Sequence, residues 1–231
     1  MTPVLLLHGT NDTGAALRPL GDALAAAGHA VSYVDYGRHR ASLRGLVSGG
    51  GGLAPLAAST AEVVAALDAL TSAGPTGRVD IVGHSQGGLH AFAAARARPG
   101  AVRTLVTLEA PLWGARPLGR WSPLLQARGP ARALDLLLGP SARGMVPADR
   151  TDRTDRADRA DRAGWTPRPI PDVRHLTIVG DDRMLAPPPG ADEAGLGVVR
   201  LAERHPGHRV RHDHLPADEA VIALVLDALA P

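Results

Sequence analysis

The 231-residue chain contains no cysteine, which removes a thiol nucleophile, a thiolate metal site and any disulfide framework from consideration. It contains no lysine either, so the 25 basic residues are all arginine, and both Schiff-base chemistry and the lysine of a phosphate-binding loop are excluded. Aromatic residues make up only 3% of the chain, which leaves Leu, Val and Ala to build the core and little to stack on nucleic-acid bases. The isoelectric point of 9.8 is basic, yet 25 arginines nearly balance 23 acidic residues for a formal net charge of +2, which points to no nucleic-acid partner. Long hydrophobic runs are missing as well. The opening run, Val4 to Leu7, is too short for a secretory signal, and no stretch approaches the roughly 18 uninterrupted apolar residues of a membrane-spanning helix. A soluble, cytoplasmic protein with no integral membrane segment is expected, with export expected only if the chain extends further at its amino terminus.

What the chain does have is 45% hydrophobic residues, heavily punctuated by 27 glycines and 20 prolines, a balance that suits one α/β domain with a single sizeable core. Short apolar runs bounded by turn residues predict strands at Val4 to Leu7, Ala30 to Val34, Val79 to Val82, Thr104 to Leu108 and Leu176 to Val179, with a weaker one at Arg209 to Arg211. Between them, helical patterns cover Ala15 to Ala27, Ser59 to Leu70, Leu89 to Ala97 and Asp218 to Leu229. Alternating strand and helix predict a mostly parallel, doubly wound sheet of about six strands.

Two segments break the alternation. Gly49 to Gly52 reads as a flexible loop, and without a lysine or a preceding strand it is no phosphate cradle. Residues 112 to 170 form a long connection rich in Pro and Gly, which a compact domain accommodates as a cap inserted over the active site. Within it, Asp149 to Ala163 repeats an Asp-Arg-Thr/Ala triplet, a charge-balanced run whose period of three holds no single helical face. It reads as a solvated segment without chemistry.

The chemistry centres on Gly83-His84-Ser85-Gln86-Gly87-Gly88, which directly follows one predicted strand and directly precedes an apolar helix. This is G-x-S-x-G in the strand–turn–helix context that gives it meaning. The serine occupies a strained turn, and its neighbours two residues away must lack side chains for Oγ to project into a cleft. Ser32, Ser42, Ser48, Ser59, Ser72, Ser122 and Ser141 lack that flanking pattern. A hydroxyl needs a base to take its proton, and the base is expected late in the chain. His212-Asp213-His214-Leu215-Pro216 supplies two contenders before the last helix. His212 is preferred to His214 because it stands nearer the preceding strand and Leu215 can anchor the loop, while His205 and His208 read as surface histidines.

A carboxylate must orient the base, and Gly180-Asp181-Asp182 at a strand end places two acids at the carboxyl edge of the sheet. Asp182 is preferred, with Asp181 as a turn residue or support. The oxyanion donors are expected to be the backbone N–H groups of Gln86, next to the nucleophile, and of Thr10, in the loop His8-Gly9-Thr10-Asn11 after the first strand. His8 reads as structural. The histidines from His205 to His214 with Asp213 could also be read as a metal cluster, but nothing in their spacing fixes a ligand geometry, so no metal and no cofactor are assigned.

With Leu7-His8-Gly9-Thr10, the Ser85 turn, Thr107-Leu108-Glu109-Ala110-Pro111-Leu112-Trp113-Gly114, Asp182 with Pro187, and His212 with Leu215 in this order, the chain resembles the α/β-hydrolase lipases of bacteria. The small triacylglycerol lipases of actinomycete type are the nearest pattern. The resemblance implies a minimal α/β-hydrolase fold that begins at the family's third strand, and a cap entered through Ala110 to Gly114. It implies ester hydrolysis through an acyl-enzyme, with Ser85, His212 and Asp182 as the triad and a small-molecule or lipid ester as substrate. Leu112, Trp113 and Leu118 of the cap region are expected to line an apolar acyl pocket. The Asp-Arg run departs from the family pattern. The same triad also serves thioesterases, amidases and acyltransferases, and a non-catalytic binding protein on this scaffold is the reading from another class. Acyl chain length and oligomeric state are not legible in the sequence.

Overall fold

The computed structural model describes residues 2–74, 76–113, 135, 139–141, 168–180 and 195–231. Six strands form one wholly parallel sheet in the order β2-β1-β3-β4-β5-β6. They are β1 (Val4–Leu7), β2 (Val31–Val34), β3 (Val79–His84), β4 (Val102–Leu108), β5 (Arg174–Val179) and β6 (Val198–Arg200). The first five match the expected apolar runs to within a few residues at their ends. The sixth does not: Arg209 to Arg211 forms no strand, and the edge is made instead by Val198 and Val199, which pair with Ile178 and its neighbours. Two β-branched residues beside an existing strand outweigh an arginine-flanked valine that would have had to carry its charges into the sheet.

Side-chain alternation divides the core between the two faces of the sheet. On one face Leu5, Leu7, Ile81 and Leu105 pack with Leu56, Val63 and Leu67 of α3 (Leu56–Ala73) and Phe92 of α4 (Gln86–Ala97). On the other, Val4, Leu6, Val82, Val106 and Ile178 pack with Leu20 and Leu24 of α1 (Arg18–Ala26) and with Val221, Val225 and Leu229 of the C-terminal helix. By length and composition alone, the 18-residue α3 with mean hydropathy 1.2 could cross a membrane. It nevertheless carries Glu62 and Asp68, and Asp68 receives the Arg98 guanidinium through two hydrogen bonds.

Two short helices lay outside the predicted pattern. In α2 (Leu43–Ser48), capped by the Ser42 side chain accepting from Gly45 N–H, Leu43, Leu46 and Val47 share one exposed helical face, and six residues are too few for that spacing to signal a helix. The helix α5 (Leu201–Arg204) continues directly from β6. A 3-10 turn, His212–Ala217, then leads into α6 (Glu219–Leu229), whose first N–H groups are capped by the Asp218 carboxylate. The far end of α6 is fixed by Arg103, which donates to both oxygens of the fully buried Asp80 carboxylate and to the Leu229 carbonyl. That clamp joins β3, β4 and α6, and so fixes the helix that carries the 212–217 turn.

Candidate active site

Because the sheet is parallel, β1, β3, β4 and β5 all deliver their carboxyl ends to one edge, and the candidate residues converge there. Ser85 closes β3 and opens α4 at φ +53°, ψ −126°, a conformation that costs a non-glycine residue on the order of 1–3 kcal/mol and persists only where its surroundings dictate it. The neighbours supply that dictation. The Ser85 N–H donates to the Leu108 carbonyl at 2.9 Å, and the Ser85 carbonyl accepts from Gly88 N–H at 2.9 Å. A Cβ on Gly83 would lie 2.5 Å from the Gly87 carbonyl carbon and 2.6 Å from Gly88 N, and one on Gly87 would collide with the Leu7 and His8 carbonyls. The two flanking glycines are therefore needed for the reason the motif implies. Ser85 Oγ makes no hydrogen bond among the described residues.

The loop after β1 abuts Ser85 directly: a Cβ on Gly9 would stand 3.1 Å from Ser85 Cβ and 3.6 Å from its Oγ. Gln86 heads α4, so its N–H is one of the first-turn donors without an intrahelical acceptor. Thr10 is linked to it by a 3.2 Å hydrogen bond from Thr10 Oγ1 to Gln86 Oε1. Thr10 and Gln86 are thereby joined beside the Ser85 turn. His8 is fully buried and stacked on Tyr36 at 4.3 Å, donating from Nδ1 to the Gly9 carbonyl and accepting from Tyr36 N–H at Nε2. Burial holds its pKa below the usual histidine value, so it braces the loop as a neutral ring and is no base.

Gly49 to Gly52 corrects an expectation. Rather than a flexible loop, it is a strap tied across this site by Asn11 N–H to Gly51 O, Gly51 N–H to Asp12 O and Gly52 N–H to Tyr36 O. Gly50, Gly51 and Gly52 allow close approach instead of motion. A Cβ on Gly50 would lie 2.6 Å from the Asn11 carbonyl carbon, and one on Gly52 would lie 2.5 Å from Gln86 Oε1, 3.0 Å from the Gly9 carbonyl and 3.1 Å from Thr10 Cα. Gly52 also sits at φ +67°. Gly52→Ala is accordingly expected to destabilise the fold by about 1–2 kcal/mol. It is also expected to lower kcat about 10- to 100-fold by displacing Thr10 and Gln86, which thermal melting and steady-state kinetics on the same variant would measure.

His212 stands at the start of the 3-10 turn, its ring 4.8 Å from that of His84 beside Ser85. His84 Nε2–H donates to the His212 carbonyl at 2.9 Å, so the residue before Ser85 fixes the backbone of His212. Burial, with His212 close by, lowers the His84 pKa to about 4, which keeps it a neutral donor near pH 7. His212 Nδ1–H donates to Glu109 Oε2 at 2.9 Å, and the Glu109 side chain is 1% exposed. His214 faces away: its side chain is 66% exposed and lies 3.8 Å from Asp213. The choice between the two histidines therefore rests on burial, partner and proximity to the elbow, all of which favour His212.

Asp182 and Asp181 lie outside the described residues, as do Leu118 and the Asp-Arg run. Among the described residues, the carboxylate found on His212 is Glu109, a residue that sequence reasoning placed only within the Thr107 to Gly114 segment. Leu112 and Trp113 pack against the α3–α4 core cluster. Of the segment read as a possible metal cluster, His208 Nε2 pairs with Asp218 at 2.9 Å, and no three metal-ligating side chains come together among the described residues.

Comparison with known proteins follows the same lines. Residues 2–161 match the family model of the alpha/beta hydrolase fold. No curated protein matches the chain. Among solved structures, the metagenome-derived lipolytic enzymes LipS and LipT give a TM-score of 0.60 at 16% identity over 98% of this chain and 92% of theirs. The mature Bacillus licheniformis lipase BlEst2 gives 0.53 at 16% identity over 78% of this chain, which spans 66% of that lipase. The thioesterase domain of the curacin biosynthetic pathway gives 0.53 at 19% identity, covering 97% and 91%. At such identities the likeness is one of fold.

Proposed function

The chain belongs to the alpha/beta hydrolase fold family, and on that premise we propose that it is a serine hydrolase of carboxylic esters, an esterase or lipase working through an acyl-enzyme. The observation that carries this reading is Ser85, held at φ +53° on the elbow while the adjacent His84 ties down a histidine whose Nδ1 is engaged by a buried carboxylate. With Nδ1 carrying the proton, His212 Nε2 has its lone pair available to act as base. Ser85 Oγ attacks the ester carbonyl carbon and its proton passes to His212 Nε2. The carbonyl oxygen becomes an oxyanion met by the Thr10 and Gln86 N–H groups, and the alcohol departs with the proton from His212. A water, deprotonated by the same histidine, then releases the acid and regenerates Ser85. Every bond made or broken is served by these groups, so the proposal includes no cofactor.

An ester substrate is favoured by the lipases and lipolytic enzymes among the structural neighbours and by the narrower resemblance to actinomycete lipases. An apolar acyl pocket contributed by Leu112, Trp113 and Leu118 belongs to the same proposal. The test is a substrate panel of p-nitrophenyl butyrate, p-nitrophenyl palmitate and an acyl-thioester. Hydrolysis of either ester at a higher kcat/KM than the thioester supports the reading, and preference for butyrate or palmitate separates esterase from lipase. A strong preference for the thioester replaces it with the thioesterase alternative. Inactivity on all three, with no covalent labelling by a fluorophosphonate, replaces it with a binding protein on a hydrolase scaffold.

A further inference from the structure

We infer that Glu109, at the end of β4, is the carboxylate that positions the base. The inference rests on the serine-hydrolase reading and goes on to assign the third member of its proton path. Four observations place Glu109 in that role. Its Oε2 receives His212 Nδ1–H at 2.9 Å. Its side chain is 1% exposed, so the carboxylate is withdrawn from water, which strengthens a hydrogen bond made to it. Its backbone is held at φ +46°, a strained conformation for glutamate, with its N–H donated to the Ile178 carbonyl at 2.7 Å.

The fourth observation is the room made for it. A Cβ at Gly180 would stand 2.6 Å from Glu109 Oε1 and 3.1 Å from Oε2, so the carboxylate lies in the space that the missing side chain of Gly180 leaves at the end of β5. The link to the nucleophile is direct. Leu108 accepts the Ser85 N–H and the next residue, Glu109, accepts from His212, while His84 on the other side of Ser85 donates to the His212 carbonyl. Strand β4 therefore ends in a dipeptide that holds nucleophile and base in one register. Glutamate suits the position because its extra methylene carries the carboxylate from a strand end across to the neighbouring turn.

Acting through His212 and not on substrate, Glu109 fixes the Nδ1–H tautomer and stabilises the imidazolium formed in each half-reaction. The isosteric Glu109→Gln variant keeps the volume and can present an amide N–H to Nδ1, which favours the unproductive tautomer. Its kcat is expected to fall about 10³-fold with KM little changed. A merely structural role would not reproduce the second readout. The wild type should show a low-field proton resonance for the His212 Nδ1–H in one-dimensional NMR, absent in His212→Ala, lost in Glu109→Gln and kept in Asp182→Asn. Should Glu109→Gln fail to fold, Glu109→Asp serves: it keeps the charge but withdraws it by one methylene, and the resonance should shift with a smaller fall in kcat.

Retention of the resonance and of kcat in Glu109→Gln, or loss of both in Asp182→Asn to the same extent as in Glu109→Gln, would overturn the assignment. Failure of the hydrolase reading itself is separate. It shows as wild-type protein that neither turns over esters nor labels with a fluorophosphonate, while the resonance comparison still reports whether Glu109 is the partner of His212.

Discussion

Ser85→Ala is expected to abolish ester turnover, lowering kcat by about 10⁶-fold while leaving the fold intact. The size follows from the role: without Oγ no acyl-enzyme forms, and what remains is whatever acceleration the oxyanion donors give to direct attack by water. The intact fold follows from the structure, since Ser85 Oγ holds no hydrogen bond among the described residues and the strained turn is maintained by backbone partners at Leu108 and Gly88. Alanine meets the same φ penalty as serine, so the melting temperature should match the wild type. A variant that melts normally and still hydrolyses p-nitrophenyl butyrate would move the nucleophile elsewhere.

The second large effect is on stability in acid. His90 is fully buried, its Nδ1 paired with Thr60 Oγ1 at 2.8 Å, and burial with His8 nearby lowers its pKa to about 3; His84 is lowered to about 4. In the unfolded chain both return to the ordinary value near 6.5. Between pH 6.5 and those depressed values the unfolded state binds protons that the folded state refuses, so stability is fully present above pH 6.5 and drains away as the pH falls towards 3 to 4. At about 1.4 kcal/mol per pH unit, the two groups remove about 3 and about 5 kcal/mol over that window, comparable to the whole stability of an ordinary domain. Melting temperatures measured from pH 7.5 to pH 4 should fall steeply below 6.5, and His90→Gln should flatten the fall. A constant melting temperature down to pH 4.5 would show that these rings accept protons without opening the core.

How far the sequence announced all this depended on the length of each signal. β1 was legible as an unbroken apolar run, and β3 and β4 as short, mainly apolar and β-branched runs bounded by turn residues, while the Ser85 elbow was legible because its glycine requirement is steric and local. β6 was not: three residues carry no periodicity, and Val198 is a strand only because Thr177 lies beside it. α2 was hidden because it is only six residues long and its one apolar face, Leu43, Leu46 and Val47, is exposed instead of buried in the core. Gly49 to Gly52 was misread because glycine signals either freedom or crowding, and only the neighbouring Asn11, Tyr36 and Gln86 show that here it signals crowding. Glu109 met the rule of chain order as well as Asp182 did, lying between Ser85 and His212 at a strand end. What singled it out was the vacant side of Gly180, a fact of neighbouring strands that no local pattern contains.

The most direct test of the central claim is covalent labelling with a fluorophosphonate, followed by peptide mass spectrometry, on the wild type, His212→Ala and His214→Ala. The account predicts a single adduct on the peptide carrying Ser85, formed rapidly by the wild type and by His214→Ala and slowed by orders of magnitude in His212→Ala. No adduct, an adduct on another serine, or labelling that survives loss of His212 and fails with loss of His214 would contradict it.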